Sequence, residues 1–289
     1  MERLSKGGRA GVITRLLADR PNQVISLTEL ADRLGVAKST LSEDVAQLKD
    51  SLAALNLGRI ETVAGVNGGI RWLPGGDAAW ERETVQLLCE QLADPARILP
   101  GGYLYTSDLC SDAQQVERFA QLFAHIFAER QPDVVLTVEM RGIPLAYATA
   151  RYLGVPLAIA RKELPGSSEA GWPLLMRHER SEGPTVNINY VSGSSQRVQT
   201  MALPRRSVPQ AARALIIDDF MRAGGTALGL EQLMQEFGAT TVGCGVLVAT
   251  SQPEQKLVSE FYAVACLEEI DPVGQRVVAS PGCWFRRQK

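Results

Sequence analysis

Side chains that commonly ligate transition metals or form disulfides are scarce in this chain. It has two histidines and five cysteines in 289 residues. The cysteines are scattered, include no CxxC pair and are odd in number: Cys89, Cys110, Cys244, Cys266 and Cys283. The sequence therefore predicts neither a metal site nor a disulfide framework. His125 lies in a stretch of helical spacing and neither histidine is near a nucleophile in sequence, so a Ser-His-Asp triad has no support.

Long apolar runs are absent as well. No run approaches the roughly 18 residues that predict a membrane span, and the N-terminal MERLSKGGRA lacks the apolar core of a signal peptide. We therefore expect a cytoplasmic protein with no membrane association. The hydrophobic fraction of 45% and the charged fraction of 21% are those of an ordinary soluble protein. A length of 289 residues is comfortable for two domains.

A strong excess of one charge is also lacking, since the formal net charge is −2. The distribution is uneven, however, because residues 1–73 carry ten Lys and Arg against eight Asp and Glu. Arg3, Lys6 and Arg9 lie within the first nine residues, where only Glu2 opposes them. Such a cluster is usually a solvated tail, but it is also suited to contact the phosphates of DNA.

The first part of the chain has the pattern of three helices. Apolar spacing between Ile13 and Leu17 predicts a helix that ends before Pro21. Thr28 is a suitable N-cap for a short second helix, and Gly35 is a suitable C-terminal stop. A third helix follows after a tight link. Its apolar residues recur at three- and four-residue steps on one face: Leu41, Val45, Leu48, Leu52 and Leu55.

Two helices joined in this way predict a helix-turn-helix, whose second helix enters the major groove of DNA with its N-terminal residues at the bases. The leading end of that helix is small and polar: Lys38, Ser39, Thr40 and Ser42. Glu43 and Asp44 follow, and these acids would repel phosphates unless they point inward or pair with Lys38. Small helical domains also serve as dimerisation or protein-binding modules, but the polar leading end favours DNA.

Two strand-like segments, 59–63 and 70–73, flank the turn sequence Val66-Asn67-Gly68-Gly69. A hairpin that follows a helix-turn-helix is a wing. Residues 1–73 are therefore predicted to form a winged-helix DNA-binding domain, and residues 74–289 a second domain.

The most informative segment of the second domain is 214–226, which reads ALIIDDFMRAGGT. Its apolar start is typical of a strand buried on both faces, which we expect to end at the first charged residue. Asp218 and Asp219 would then lie at the carboxyl end of a strand, where open α/β sheets bind ligands. Their carboxylates suit ribose hydroxyls. The residues that suit a phosphate-binding turn before a helix are Ala223, Gly224, Gly225 and Thr226.

A second candidate loop follows the strand-like run 133–138. Gly142 permits close approach of a ligand and Arg141 supplies positive charge, although a simple strand-to-helix turn would also explain this loop. Further strand-like runs alternate with helical ones, which predicts an α/β domain with a mainly parallel sheet. These runs are 157–160, 214–217 and 241–249, and a hairpin is expected over 185–191 and 196–203. The segment 164–182 is expected to be disordered or loosely packed.

The 214–226 segment resembles the 5-phosphoribosyl-1-pyrophosphate (PRPP) signature of type I phosphoribosyltransferases. Nearly the whole chain resembles the purine operon repressor family of Gram-positive bacteria, a winged helix joined to a type I phosphoribosyltransferase-like domain. The matching segments are AKSTLSEDV, RILPGGYLY, GIPLAYA, INYVSGSSQRVQTM and LIIDDFMRAGGT. The resemblance implies a homodimer that represses purine genes from double-stranded operator DNA and is released by PRPP.

By the same resemblance, the transferase-like site binds PRPP without catalysis and requires no cofactor. Asp218 and Asp219 would hold the ribose hydroxyls, the 223–226 turn the 5-phosphate, and Arg141 with Gly142 the diphosphate. Mg²⁺ can accompany PRPP, and guanine alarmone nucleotides are candidate competitors for the same loops.

The chain departs from the family pattern in the diphosphate loop. Glu139 and Met140 make it more acidic and bulkier than usual, and Arg141 stands where lysine is common. The rival hypothesis is a working purine phosphoribosyltransferase with an accessory DNA-binding domain. It requires a base pocket, to which Tyr103 or Tyr105 could contribute a stacking ring unless they pack in the core.

Overall fold

The computed structural model describes residues 4–65, 68–163, 184–191, 198–282 and 284–286. Several features of the sequence fall outside these ranges: Arg3, Val66, Asn67, the segment 164–182, the second histidine (His178), the turn 192–195 and Cys283.

Seven α-helices lie in the described part of the chain: α1 (Lys6–Asp19), α2 (Leu27–Leu34), α3 (Lys38–Ala54), α4 (Ala78–Leu92), α5 (Ala113–Phe127), α6 (Ile143–Leu153) and α7 (Gly225–Glu236). The strands there are β1 (Arg59–Val63), β2 (Gly69–Leu73), β3 (Ile98–Leu99), β4 (Tyr103–Leu104), β5 (Val134–Val138), β6 (Leu157–Glu163), β7 (Thr185–Val191), β8 (Val198–Pro204), β9 (Arg213–Met221), β10 (Thr240–Thr250), β11 (Glu260–Asp271), β12 (Arg276–Pro281) and β13 (Trp284–Arg286).

The predicted winged helix is confirmed, with α1 to α3 and the β1–β2 hairpin around a core of their own. Its most deeply buried side chains are Ile13, Leu17, Leu30, Leu41, Ile60 and Ile70. Gly35 ends α2 with a φ of 64°, a left-handed conformation that glycine adopts without steric cost. The predicted N-cap of α2 is wrong, because the Ser26 hydroxyl accepts hydrogen bonds from the N–H groups of Thr28 and Glu29. Ser26 and Glu29 have the S-x-x-E spacing of a capping box, which marks the true start of this helix.

The second domain is built on one sheet, in which β11, β10, β9, β5 and β6 are parallel neighbours in that order. Antiparallel strands extend both sides, with β12 and β13 on β11 and the β8–β7 pair on β6. The predicted mainly parallel α/β domain is therefore confirmed. The hairpin expected over 185–203 is also confirmed as β7 and β8, apart from its turn.

Alternation along the central strands assigns side chains to the two faces of this sheet. Val135 and Leu215 face the core that contains α5 and α6. Val134 and Ile216 face the core that contains α7. Because successive side chains of a strand point to opposite faces, a continuous apolar run is what a strand covered on both faces requires. All five residues of β5 are buried.

One predicted strand end is wrong, and the difference bears on the site. β9 does not stop at the first acid but continues through Asp218 and Asp219 to Met221. It stays paired with β10, where Asp218 lies opposite Val246. Its pairing with β5 ends earlier, at Ile216. The long β10 supplies hydrogen-bond partners to β9 beyond Asp219. On the side of β9 that faces β5, the two acids are unpaired in the sheet and open toward the loop after β5.

The two domains meet at the C-terminal end of α6. Asn22 Nδ2 donates a hydrogen bond of 2.8 Å to the carbonyl oxygen of Leu153. The rings of Trp72 and Tyr152 make an edge-to-face contact with centroids 6.3 Å apart. The N-terminus of α6 lies directly after Gly142. One helix therefore extends from the loop after β5 to the winged helix.

No helix in the described ranges is long and apolar enough to cross a lipid bilayer.

Candidate ligand site and DNA-binding surface

The turn between β9 and α7 has the geometry of an anion-binding turn. Gly224 has a φ of 85°, which disfavours any residue with a side chain. Its carbonyl oxygen accepts the first hydrogen bond of α7, from the N–H group of Leu228 at 2.9 Å. The N–H groups of Gly225 and Thr226 precede that bond, so they have no acceptor within the helix. Such groups and the positive helix end favour a negatively charged ligand.

The structure brings the two predicted loops into contact. Arg141 Nε lies 3.1 Å from an Asp219 carboxylate oxygen, and the Arg141 side chain is 54% exposed. Asp218 accepts a hydrogen bond of 2.9 Å from the backbone N–H of Asp219. The loop after β5 and the acids of β9 therefore form one site, although 76 residues separate Gly142 from Asp218 in sequence.

The site leaves no room for a side chain at position 142, so glycine is required there. A side-chain carbon on Gly142 would lie 2.7 Å from Asp218 Oδ1, which is too close, and 3.1 Å from Thr137 Oγ1, which is a tight contact. Thr137 is itself fully buried, and its hydroxyl has no hydrogen-bond partner in the part of the chain that the structure describes. A buried, unpartnered hydroxyl beside the loop is a group that a ligand could satisfy. The sequence reasoning had not singled out this hydroxyl.

The unpartnered Thr137 hydroxyl has a consequence for stability. Leaving a buried polar group unsatisfied costs about 1–3 kcal/mol, and an apolar group of the same shape avoids that cost. We expect Thr137→Val to raise the free energy of unfolding by about 1 kcal/mol, measured by urea denaturation. Thr149→Val is the matched control, since the equally buried Thr149 hydroxyl donates to the Leu145 carbonyl oxygen at 2.8 Å. The control should lower stability, and equal effects of the two variants would contradict the assignment.

Burial governs the electrostatics of the acid pair. Residue 218 keeps some exposed surface at the sheet edge, but its carboxyl is enclosed, and this burial raises the pKa of Asp218. The nearby charge of Asp219 raises that pKa further, and Lys162 lowers it. Burial, together with the charges of Asp219 and Asp218, also raises the pKa of the Cys110 thiol to about 12. Cys110 therefore lies near the site as a neutral thiol, and its position in the sequence carried no signal of this.

The raised pKa of Asp218 predicts a pH dependence of stability. A carboxyl whose pKa is higher in the folded than in the unfolded state favours folding when protonated, and this contribution is lost as pH rises above about 4. Asp218→Asn cannot ionise. Its melting temperature should equal that of the wild type near pH 4 and exceed it increasingly as pH rises through the raised pKa. Thermal unfolding over this range tests the sign, and a difference independent of pH would contradict it.

The leading end of α3 is accessible, as a DNA-reading helix requires. Lys38, Ser39 and Ser42 are exposed and Thr40 is partly exposed. The Ser42 hydroxyl donates to the Lys38 carbonyl oxygen at 2.9 Å, which leaves its lone pairs able to accept. Lys6 is exposed at the start of α1.

Arg9 differs from the other members of the predicted basic cluster. Its guanidinium forms a salt bridge of 2.6 Å with Asp44, and the two side chains are only 12% and 2% exposed. Asp44 therefore points inward and pairs with Arg9, not with Lys38. This ion pair fastens α1 to α3 and withdraws Arg9 from the surface, so the predicted phosphate contact by Arg9 is not available in this conformation.

The two tyrosines proposed for a base pocket are exposed, and the groove at the domain boundary is a separate feature. Tyr103 and Tyr105 are 72% and 45% exposed, so the alternative that they pack in the core is wrong. A groove of about 540 Å³ lies between the end of α3 and the helices α4 and α5, with Leu57 and Trp80 in its lining. It belongs to the domain boundary and not to the turn after β9.

Comparisons with known proteins agree with both halves of this description. Residues 5–74 match the family described as bacterial purine repressor, N-terminal, and residues 112–281 match the phosphoribosyl transferase domain. The purine biosynthesis transcriptional repressor PurR of Bacillus subtilis (strain 168) is 41% identical over 97% of this chain and 94% of its own length. The purine biosynthesis transcriptional activator PurR of Lactococcus lactis subsp. lactis is 35% identical over 94% of this chain and 95% of its own length.

A transferase is also similar, over a shorter stretch. A xanthine phosphoribosyltransferase of Deinococcus deserti is 29% identical over 57% of this chain and 80% of its own length. The relatives named above as transcriptional regulators match both domains instead. Since 41% identity extends over almost the entire chain and the N-terminal domain matches its own family, this chain belongs to the PurR family of purine biosynthesis transcriptional regulators.

Proposed function

We propose that this chain binds operator DNA as a repressor of purine biosynthesis genes, and that PRPP releases it by occupying the transferase-like site. The observation that carries the proposal is the contact between the two candidate loops. Arg141 of the loop after β5 is paired with Asp219 of β9, the strand that leads into the glycine turn at the N-terminus of α7. A winged helix precedes this site in the same chain.

Each part of PRPP has a chemically suited partner in the site. The carboxylates of Asp218 and Asp219 accept hydrogen bonds from ribose hydroxyls, and the backbone N–H groups of the 223–226 turn receive the 5-phosphate. The exposed guanidinium of Arg141 can bind the diphosphate through two parallel hydrogen bonds. The diphosphate also offers oxygen acceptors to the buried Thr137 hydroxyl beside Gly142.

Mg²⁺ fits this site as a companion of PRPP. Carboxylate oxygens and substrate phosphates are the ligands that Mg²⁺ prefers, and the acid pair of β9 supplies two such groups. Among the described residues, no cluster of three or more His, Cys, Asp or Glu side chains could hold a metal ion. We propose that Mg²⁺ enters together with the phosphate groups of PRPP. Guanine alarmones also present phosphate groups and are proposed to compete for the same loops.

The chain acts as a regulator and not as an enzyme. Relatives that match both of its domains are named as transcriptional regulators, whereas the xanthine phosphoribosyltransferase matches 57% of the chain. In a transferase, catalysis is largely positioning and charge stabilisation. A PRPP-binding site alone is therefore compatible with an enzyme and with a sensor. The winged helix supports the sensor, because it gives the bound ligand an activity to control. A homodimer would present two reading helices to paired operator half-sites.

Helix α6 is the element proposed to couple the two sites. It begins directly after Gly142 in the ligand loop and ends against the winged helix. At that end Arg151 Nη2 donates to the Ala18 carbonyl oxygen at 3.3 Å, in addition to the Asn22–Leu153 hydrogen bond. A packed helix moves as a rigid element, so a shift at its first turn also shifts the residues that contact the winged helix.

The direct test is an operator titration with and without PRPP at a fixed salt concentration, because phosphate contacts make DNA affinity depend on salt. PRPP with Mg²⁺ should weaken operator binding roughly 5- to 150-fold, the range of typical coupling energies. A guanine alarmone should raise the PRPP concentration that is needed. A parallel assay follows consumption of purine bases. Operator affinity that PRPP leaves unchanged, or base consumption dependent on PRPP, would overturn the proposal.

A further inference from the structure

A buried lysine lies directly behind the candidate phosphate turn. Lys256 is 4% exposed, and within the described ranges no other Lys or Arg is buried to this degree. Its ammonium group donates to the carbonyl oxygen of Arg222 at 2.6 Å and to that of Thr250 at 2.7 Å. Removing an ammonium group from water costs free energy that must be recovered through its contacts. The burial of Lys256 therefore indicates that its two hydrogen bonds have a structural or functional role.

The segment around Lys256 holds two consecutive carbonyl groups of the turn. The Arg222 carbonyl oxygen accepts from Lys256, and the Ala223 carbonyl oxygen accepts from the N–H of Leu257 at 2.9 Å. The backbone N of Leu257 also lies 3.5 Å from the position that a side-chain carbon on Gly224 would take. Both carbonyl groups are thus directed to one side of the turn, where the segment packs.

The direction of the carbonyl groups determines the direction of the amides. In a planar trans peptide the C=O and N–H bonds point in opposite directions. When the Arg222 and Ala223 carbonyl groups face Lys256 and Leu257, the N–H groups of Ala223 and Gly224 face away from them. They point to the side opposite this segment. Next in the chain are the N–H groups of the first turn of α7, so the turn and helix present a row of donors.

We propose that Lys256 is a positioning residue of the phosphate turn. It holds the carbonyl oxygens away from the ligand, so that the amides of 223–226 meet the phosphomonoester of PRPP, and its charge adds to the positive potential there. This inference deepens the proposed function and rests on it. It assigns the 5-phosphate, and not the diphosphate, as the group whose binding depends on Lys256.

The experiment separates the two ends of the ligand by using ribose 5-phosphate and pyrophosphate as probes. Calorimetric titration of the full chain gives the Kd for each probe with the wild type and with Lys256→Met. Methionine keeps the length of the side chain and removes the charge and the donors. We expect at least about tenfold weaker binding of ribose 5-phosphate, as for a lost charged hydrogen bond, and pyrophosphate binding within about twofold of the wild type. Lys49→Met, at an exposed position on α3, is the matched control for charge.

Every outcome bears on the inference. Ribose 5-phosphate bound equally well by wild type and Lys256→Met would overturn it and leave the PRPP proposal intact. Equal losses for both probes would assign Lys256 to the general fold and also overturn it. A wild type that binds neither probe nor PRPP would overturn the proposed function itself. If Lys256→Met does not fold, Lys256→Gln, which keeps one donor, replaces it with an expected three- to tenfold loss, roughly that of one neutral contact. Failure of both variants to fold counts against the inference.

Discussion

Replacing Asp218 and Asp219 together with alanine should leave operator binding within about threefold of the wild type and abolish its response to PRPP. The two acids lie on β9, in the sheet of the second domain, and the reading helix α3 lies in the first. Hydrogen bonds to charged groups contribute about 1.5–3 kcal/mol each, so loss of both carboxylates should weaken PRPP binding by at least about a hundredfold. Operator titrations with increasing PRPP measure both quantities on the same protein.

A double variant on β11, two strands away from β9 in the same sheet, separates a specific effect from a change in charge. Glu268 and Glu269 are exposed on β11, and their replacement by alanine also removes two carboxyl groups from the same sheet. This control should still respond to PRPP. Release of the Asp218 and Asp219 double variant from DNA by PRPP at wild-type concentrations would refute the assignment of the ribose site.

Removing the contacts between α6 and the winged helix should uncouple PRPP binding from operator binding, while the protein still binds each ligand. Asn22→Ala with Arg151→Ala removes two interdomain hydrogen bonds, to Leu153 and Ala18, and touches neither candidate site. PRPP affinity and operator affinity measured separately should each remain within about threefold of the wild type. The effect of PRPP on operator affinity should shrink by about tenfold, because coupling of about 1–3 kcal/mol depends on contacts that both states use.

Reciprocity provides a second measurement for this variant. If PRPP no longer alters operator affinity, operator DNA must no longer alter PRPP affinity, since one coupling free energy governs both. Arg118→Ala is the matched control, because Arg118 lies on the adjacent α5 and its ion pair with Glu83 stays within the second domain. Full PRPP release in the uncoupled variant would show that the signal takes another route, such as the β7–β8 hairpin.

Local sequence patterns predicted much of the fold. Apolar spacing located α1 and α3, the glycine-rich turn located the wing, and alternation of strands with helices predicted the parallel sheet. The errors were also local. The capping box of α2 begins at Ser26, two residues before the predicted cap, and β9 continues past the first charge. A strand ends where its partners end, and the partner β10 lies beyond α7 in the chain.

The chain by itself determined the candidate turn of this protein, because strand, acid pair, glycines and helix start are contiguous there and depend on backbone preferences that short segments encode. Tertiary structure alone decided what surrounds that turn. It brought Arg141 to Asp219, left the Thr137 hydroxyl without a partner among the described residues and placed Lys256 beside the phosphate loop. It also turned Arg9 inward to Asp44. The contacts of Arg141, Lys256 and Arg9 join residues 34 to 78 positions apart, and burial and the directions of side chains exist only once distant segments have packed together.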